Sequence, residues 1–459
     1  MKNLLLKNIA TAVGGQLVLN GADETKEIKG VVTDNRQVEK DYLFIPIRGE
    51  KVDGHKFIES AFEAGACAVF SEEENVTENG PYILVESSQQ ALKDLAAYYR
   101  QQLSIPIVGI IGSVGKTSTK EMMASVLSKK YEVLKTEGNF NNEIGMPLTL
   151  LKIRDHHQVA VVEMGISDFD EMHRLGAVAK PNIVVMTNIK ECHLENLGDR
   201  DGVLKAKTEV FEHLSKDASV VLNGNDDKLA TVQSVEGATV YYAGIEDSTF
   251  SVYADDIKDE GLTSERALFH TKDGNFEARI PLPGRHHVSN AALATQVGLL
   301  LHLTLEEIKS GIETVETISG RNNFIELKDE ITLIDDCYNA NPASMKASLS
   351  VLGQATGRTI AILGDMGELG TDEKKLHFEV GQAVAKEKIS VLYAVGDLSK
   401  EIAAGASDSD TKVLWFLTKE EMLSKLKEDI KKGDTILVKA SHFMGFAKVV
   451  EELTSLLGK

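Results

Sequence analysis

The sequence predicts an α/β protein of three domains, on three observations. Its 459 residues suit about three units of roughly 100–200 residues each. Short apolar runs alternate with helical stretches along most of the chain, the pattern of open, mostly parallel sheets. One of these runs leads directly into a glycine-rich turn bearing a lysine.

Residues 1–85 form the first domain. Strand-like runs at 42–47 and 68–70 are separated by turns at Gly49, Gly54 and Gly65, and a helix is expected over 57–64. Residues 86–315 form the second. A helix over 88–103 precedes the apolar strand 105–111, a glycine turn and an amphipathic helix over 116–130, the opening of a parallel α/β unit. Further strands are expected at 159–162, 183–186 and 219–222. Residues 316–459 form the third, where apolar runs at 331–334, 359–363, 391–395, 413–416 and 435–438 alternate with helices. Loops at the C-terminal ends of such strands are the expected ligand edge. The classes are therefore a small N-terminal α/β domain, a central P-loop ATPase-like α/β domain and a C-terminal Rossmann-like α/β domain.

Lysine and arginine number 50 against 70 acidic residues, a net charge of −20. Nucleic acids and anionic membranes need a cationic face, so neither is an expected partner. A phosphate site needs only backbone N–H groups and one lysine, so nucleotides stay open. Cys67, Cys192 and Cys337 are odd in number, far apart and without CxxC spacing, which fits a reducing compartment. The apolar run before Lys7 is too short for a signal-peptide core, and no segment approaches the roughly 20 apolar residues that span a bilayer. A cytoplasmic protein is expected.

The sharpest feature is Gly112-Ser113-Val114-Gly115-Lys116-Thr117-Ser118 between a strand and a helix. Its glycines let N–H groups turn toward phosphate oxygens, Lys116 reaches the β and γ phosphates, and the Thr117 hydroxyl is placed for Mg²⁺. The pattern GxxxxGK[ST] is imperfect, because Ile110 stands where its first glycine belongs. The loop alone suits a GTPase switch, a kinase, a motor or a ligase, although the absence of an NKxD run disfavours the first. Phosphoryl transfer also needs cations on oxygen ligands. Glu163 and His193 follow apolar strands and are candidates; Lys207, within the helical stretch 203–214, reads by itself as a surface lysine.

The run of the phosphate loop, residues 138–145 (GNFNNEIG), 162–165 (VEMG), 193–195 (HLE) and Ala206-Lys207 resembles the Mur ligase family. The likeness continues through residues 284–290 (GRHHVSN), 334–342 (IDDCYNANP) and 364–370 (GDMGELG), and covers nearly the whole chain in order. The last two runs are most like the member that joins D-alanyl-D-alanine to UDP-N-acetylmuramoyl-tripeptide. The resemblance implies an ATP-dependent amide ligase working through an acyl phosphate, with ATP and Mg²⁺ as cofactors and a monomeric state.

It also implies roles. Lys116 binds phosphates; Thr117, Glu163 and His193 hold metal; Lys207 matches the lysine that in several members carries a CO₂-derived carbamate and so becomes a metal ligand. His286 and Asn290 face adenine, with His287 in place of the usual asparagine, and Asp336 meets the ATP ribose. Asn339 and Asn341 lie near the phosphates and the acyl group, and Asn139, Asn141 and Asn142 face the muramoyl-peptide. Asn35, replacing a serine, and Arg36 contact the UDP substrate in the first domain. The second domain carries ATP and the third the incoming dipeptide. Lys439-Ala440-Ser441-His442 departs from the family's Lys-Gly-Ser-Arg. A sister ligase adding one amino acid, a nucleotide-gated binding protein and a small-molecule kinase are the competing readings.

Overall fold

A computed structural model describes residues 1, 3–49, 51–74, 76, 77 and 79–458. Three sheets follow one another along the chain. The first has strands β1 (Gln16–Val18), β2 (Gly30–Val32), β3 (Tyr42–Phe44), β4 (Ala68–Ser71) and β5 (Tyr82–Leu84), in the order β1-β5-β4-β3-β2. The expected strand 42–47 ends at Phe44, since Pro46 has no N–H to give a ladder. The helix expected from 57 begins at Ile58, behind a 3₁₀ turn, Gly54–Phe57, capped by Asp53.

The second sheet comprises β6 (Ile107–Ile111), β7 (Val133–Lys135), β8 (Val159–Glu163), β9 (Ile183–Met186), β10 (Ala218–Asn223), β11 (Ala238–Ile245), β12 (Val252–Asp259), β13 (Glu265–Thr271) and β14 (Gly274–Ile280). Their order is β14-β13-β12-β11-β10-β9-β6-β8-β7. Every residue of β6, β8 and β9 is buried, as parallel strands covered on both faces require. The β12–β13–β14 meander is antiparallel, and β13 alternates buried and half-buried residues.

The third sheet holds β15 (Asn323–Leu327), β16 (Ile331–Asp335), β17 (Thr359–Gly364), β18 (Val391–Val395), β19 (Lys412–Phe416) and β20 (Thr435–Lys439). Its order is β15-β16-β20-β17-β18-β19, all parallel except β15 against β16. The three-part α/β class expected from the sequence is thus the class of the fold.

Packing makes the first two parts one body on one side. Leu4, Leu43, Phe70 and Leu95 share a buried cluster with Ile107, Val162 and Met186. The opposite face of the central sheet is covered by the helices Lys116–Leu127, Arg285–Leu300 and Leu305–Glu313, through Met122, Val126, Leu293 and Ile308. Leu194 packs against both the central core and the core of the third part, joining them just after β9. Among the described residues no helix is long and apolar enough to cross a membrane.

Candidate active site

The phosphate loop leaves the C-terminal end of β6 and is held from one side. Ser113 N donates to Asn188 O (3.0 Å) and Val114 N to Asn188 Oδ1 (3.0 Å). Val114 O accepts from Thr187 Oγ1 (2.7 Å) and Asn188 Nδ2 (3.0 Å), and Ser113 Oγ exchanges hydrogen bonds with Lys190. A Cβ at Gly112 would lie 2.0 Å from Thr187 Oγ1, so only glycine admits this brace. Gly115, at φ +78°, then opens the helix Lys116–Leu127. The free N–H groups and partial positive charge of that helix end face the loop's concavity, an anion site by construction. Lys116 Nζ donates to Gly112 O at 2.9 Å.

A carboxylate stands across from this loop. Glu163 closes β8, is 2% exposed, and donates its N–H to Thr136 Oγ1 (2.9 Å). Its Oε1 accepts from Asn141 Nδ2 at 2.7 Å, while Oε2 is buried with no partner among the described residues. An orphaned carboxylate oxygen in the interior is costly, and a bound cation removes that cost. The oxygen donors here, Glu163 and the Thr117 hydroxyl beside it in the cleft, are the type Mg²⁺ takes. His193, at φ +51° beyond β9, places Nδ1 2.5 Å from Glu368 Oε2 of the third part. That imidazole holds the Glu368 carboxyl below its ordinary range.

Lys207 is not on the surface. It is 1% exposed, turned inward with Val203 and Ala206 on the helix Arg200–Thr208, which Asp199 caps. Val203 and Lys207 are four apart, so the apolar face takes the lysine with it. Burial pushes the pKa of its amine down to about 8, with Cys192 and Glu171 opposing and Lys116 pushing the same way.

The phosphate loop, Glu163 and His193 open on one cleft of about 670 Å³. From the central part it is lined by Ser113, Val114, Gly115, Lys116, Thr117, Asn141, Asn142, Glu163 and His193, and from the third part by Arg321, Tyr338, Asn339, Asn341, Glu368 and His442. Asn142 Oδ1 is engaged by the N–H groups of Ile144 and Gly145, which shapes the loop. Asn341 caps the helix Pro342–Leu352 by accepting from Ser344 N at 2.8 Å. Asn339 Oδ1 accepts from Ala340 N and His442 N.

Gly112, Ser118, Asn139, Lys207, His286, Asn290 and Asp336 are not among the lining residues. Asn290 Oδ1 accepts from Thr119 Oγ1 (3.0 Å), leaving its Nδ2 buried and unpartnered. Asp336 pairs with buried Lys439 (2.6 Å) and accepts from Ser348 Oγ and Asn322 N, so its carboxylate braces the third sheet. Burial pushes His286 down to about 4 and His287 well below its usual value; both ring nitrogens of His287 are buried without partners among the described residues. Asn35 and Arg36 lie apart in the first part, where Arg36 pairs with Asp34 (2.6 Å) and Asn35 Nδ2 donates to Ser60 Oγ.

Two residues escaped the sequence reading. Arg321 lies 4.1 Å over the Tyr338 ring, with Nη2 3.5 Å from Thr117 Oγ1, so it reaches from the third part to the phosphate loop. Its only signal was a Gly-Arg pair at the start of that part. Glu368 lay in a quoted run but had no assigned role.

Residues 110–298 match the Mur ligase middle domain, 320–442 the Mur ligase glutamate ligase domain, and 27–100 the Mur ligase family catalytic domain. The chain is 37% identical over 454 residues to the UDP-N-acetylmuramoyl-tripeptide–D-alanyl-D-alanine ligase of Bacillus subtilis (strain 168), with 98% of each covered. It is similar to crystal structure I of MurF from Acinetobacter baumannii, with a TM-score of 0.91, 31% identity and 98% of both chains covered. It is also similar to MurF ligase from Thermotoga maritima in complex with ADP, with a TM-score of 0.82, 28% identity, and 94% of this chain and 98% of that one covered. With a phosphate loop, an orphaned metal-type carboxylate and a second sheet closing on both, and with these full-length likenesses, the chain belongs to the Mur ligase family.

Proposed function

We propose that this chain is an ATP-dependent ligase that joins D-alanyl-D-alanine to UDP-N-acetylmuramoyl-tripeptide, releasing ADP and phosphate. The observation that carries the chemistry is the convergence of Lys116, the unpartnered Glu163 Oε2 and Arg321 on one cleft. A peptide carboxylate and a γ-phosphate repel each other, and cations aimed at both lower that barrier. Lys116 and the loop N–H groups hold the phosphates. Thr117, Glu163 and His193 would hold Mg²⁺, joined by Lys207 once its amine is carbamylated. Bound there, Mg²⁺ supplies charge neutralisation between the γ-phosphate and the carboxylate. Arg321 adds a fixed positive charge from the third part. The activated acyl phosphate is then attacked by the dipeptide amine.

Residues 1–85 would take the UDP end with Asn35 and Arg36, residues 86–315 ATP, and residues 316–459 the dipeptide. Asn139, Asn141 and Asn142 would face the muramoyl-peptide, and Asn339 and Asn341 the acyl group. His286, Asn290 and Asp336 would bound the adenosine; the unpartnered Nδ2 of Asn290 supports that reading. Three free cysteines fit a reducing compartment such as the cytoplasm, and the net charge of −20 fits the lack of nucleic-acid and anionic-membrane partners; a monomer is part of the same reading.

The test is phosphate release with UDP-N-acetylmuramoyl-tripeptide, ATP, Mg²⁺ and D-alanyl-D-alanine, omitting each in turn. Release is expected only in the complete mixture, and Lys116→Ala is expected to lose at least about 100-fold. Release supported by a single amino acid, and indifferent to D-alanyl-D-alanine, would overturn the assignment.

A further inference from the structure

A second group of ligand-type side chains stands outside the cleft. His173 projects from the helix Glu171–Ala179, and Glu212 and His213 from the 3₁₀ turn Glu209–His213. One donor atom from each lies within 4.8 Å of the other two. His173 Nδ1 is 2.9 Å from Glu212 Oε2 and 3.1 Å from His213 Nε2. The two rings meet edge to face, with centroids 4.3 Å apart.

We propose that His173, Glu212 and His213 form a second cation site, for a borderline transition-metal ion such as Zn²⁺. Two imidazoles turned nitrogen to nitrogen share at most one proton, and a carboxylate beside them supplies the negative charge a divalent ion needs. Zinc ligands at about 2.0–2.2 Å stand about 3.3 Å apart in a tetrahedron, and the two separations from His173 Nδ1, 2.9 and 3.1 Å, already come within a few tenths of an ångström of that. Imidazole favours Zn²⁺, Ni²⁺ or Cu²⁺ over Mg²⁺, which separates this site from the oxygen donors of the cleft. Three protein ligands leave the fourth position to water.

The scaffold is fixed before any ion arrives. Glu209 accepts from the backbone N–H groups of Asp170 and His173 (3.1 and 3.2 Å), clamping the helix start to the turn. A Cβ at Gly176 would sit 3.3 Å from His213 Cβ, so glycine lets the turn approach closely. Burial, and then His173, keeps His213 below its usual pKa, as a neutral ligand requires. The ion would tie together two elements that lead to the active site, since Glu171 of the helix lines the cleft and Lys207 lies just before the turn.

The test titrates the full-length, chelator-stripped protein with ZnCl₂ alone against a chromophoric competitor. The wild type is expected to bind one more equivalent of Zn²⁺ than His173→Ala or His213→Ala, or to bind that equivalent at least about tenfold more tightly, with Glu212→Gln in between. CoCl₂ is expected to give ligand-field absorption that either alanine variant loses. The exposed His173→Ala serves as the folding control, its melting temperature in EDTA being matched to wild type. Equal Zn²⁺ stoichiometry and affinity in wild type and both alanine variants would overturn the site and leave only a surface ion pair.

Discussion

Lys207 shows what one residue's surroundings do to its chemistry. Its amine is buried near Lys116, Cys192 and Glu171, with a pKa of about 8 against an ordinary 10.5. At pH 8 half the amines are neutral, against about one in 300 for a free lysine, and only a neutral amine captures CO₂. The same shift predicts a stability profile. Below pH 8 the amine is charged in both folded and unfolded chains, and the burial penalty is fully present. Between pH 8 and 10.5 the unfolded chain holds more protons, so folding strengthens as pH rises. Relative to Lys207→Met, in CO₂-free buffer, the wild type is expected to gain about 1.4 kcal/mol per pH unit above 8, read from unfolding midpoints at pH 7–10. Sequence could not show this burial, since a lysine in a helical stretch reads as solvated until Val203 and Ala206 set which face turns inward. Glu163 was legible because it ends the buried apolar strand β8, and His193 because it follows the buried apolar strand β9. Arg321 was not, because its contacts with Tyr338 and Thr117 depend on how two distant segments meet.

At the scale of elements, Asn341 serves as both cap and cleft residue. Its side chain and that of Ser344 cap each other's backbone N–H groups at the start of the helix Pro342–Leu352. Such a cap contributes about 1 kcal/mol. Asn341→Ala is therefore expected to raise hydrogen exchange over the first turn of that helix about fivefold, and Asn341→Ser to recover most of the protection. If Asn341 also touches the acyl group, the serine variant will keep its protection and still lose activity. The buried parallel strands β6, β8, β9 and β10 and those of the third sheet were legible from sequence as apolar runs, whereas β7 and β11, parallel but half-exposed, were not. The β12–β14 meander was not, since its half-exposed strands are polar at many positions. The three-residue strands β1 and β2 of the first sheet carry too little period to read.

Over the whole molecule, the cleft exists because the third part leans on the central one. Contacts that hold that posture include His193 with Glu368, Arg321 with Thr117, Gly370 against the backbone of Glu195, and the shared packing of Leu194. Glu368 is largely exposed, so its pair with His193 contributes about 1 kcal/mol at most. Glu368→Ala is expected to shift the balance between closed and open arrangements toward open by up to about fivefold. Distances between fluorophores on the central and third parts would report it, and an ATP analogue should draw the variant closed again. None of this posture was legible, because no run of residues encodes the angle between two sheets.

The brace of Thr187 and Asn188 on the phosphate loop has a consequence in time. Everything that shapes the loop, from Gly112 to Asn290, precedes Arg321 in the chain. During synthesis, when domains fold from the N-terminus onward, the phosphate loop and its braces are complete while Asp336 and the opposite wall are still being made. A nascent chain therefore holds a complete phosphate cradle before it has the arginine and the acyl-side residues needed for turnover. Phosphate recognition is built ahead of chemistry, and turnover waits for the last third of the polypeptide.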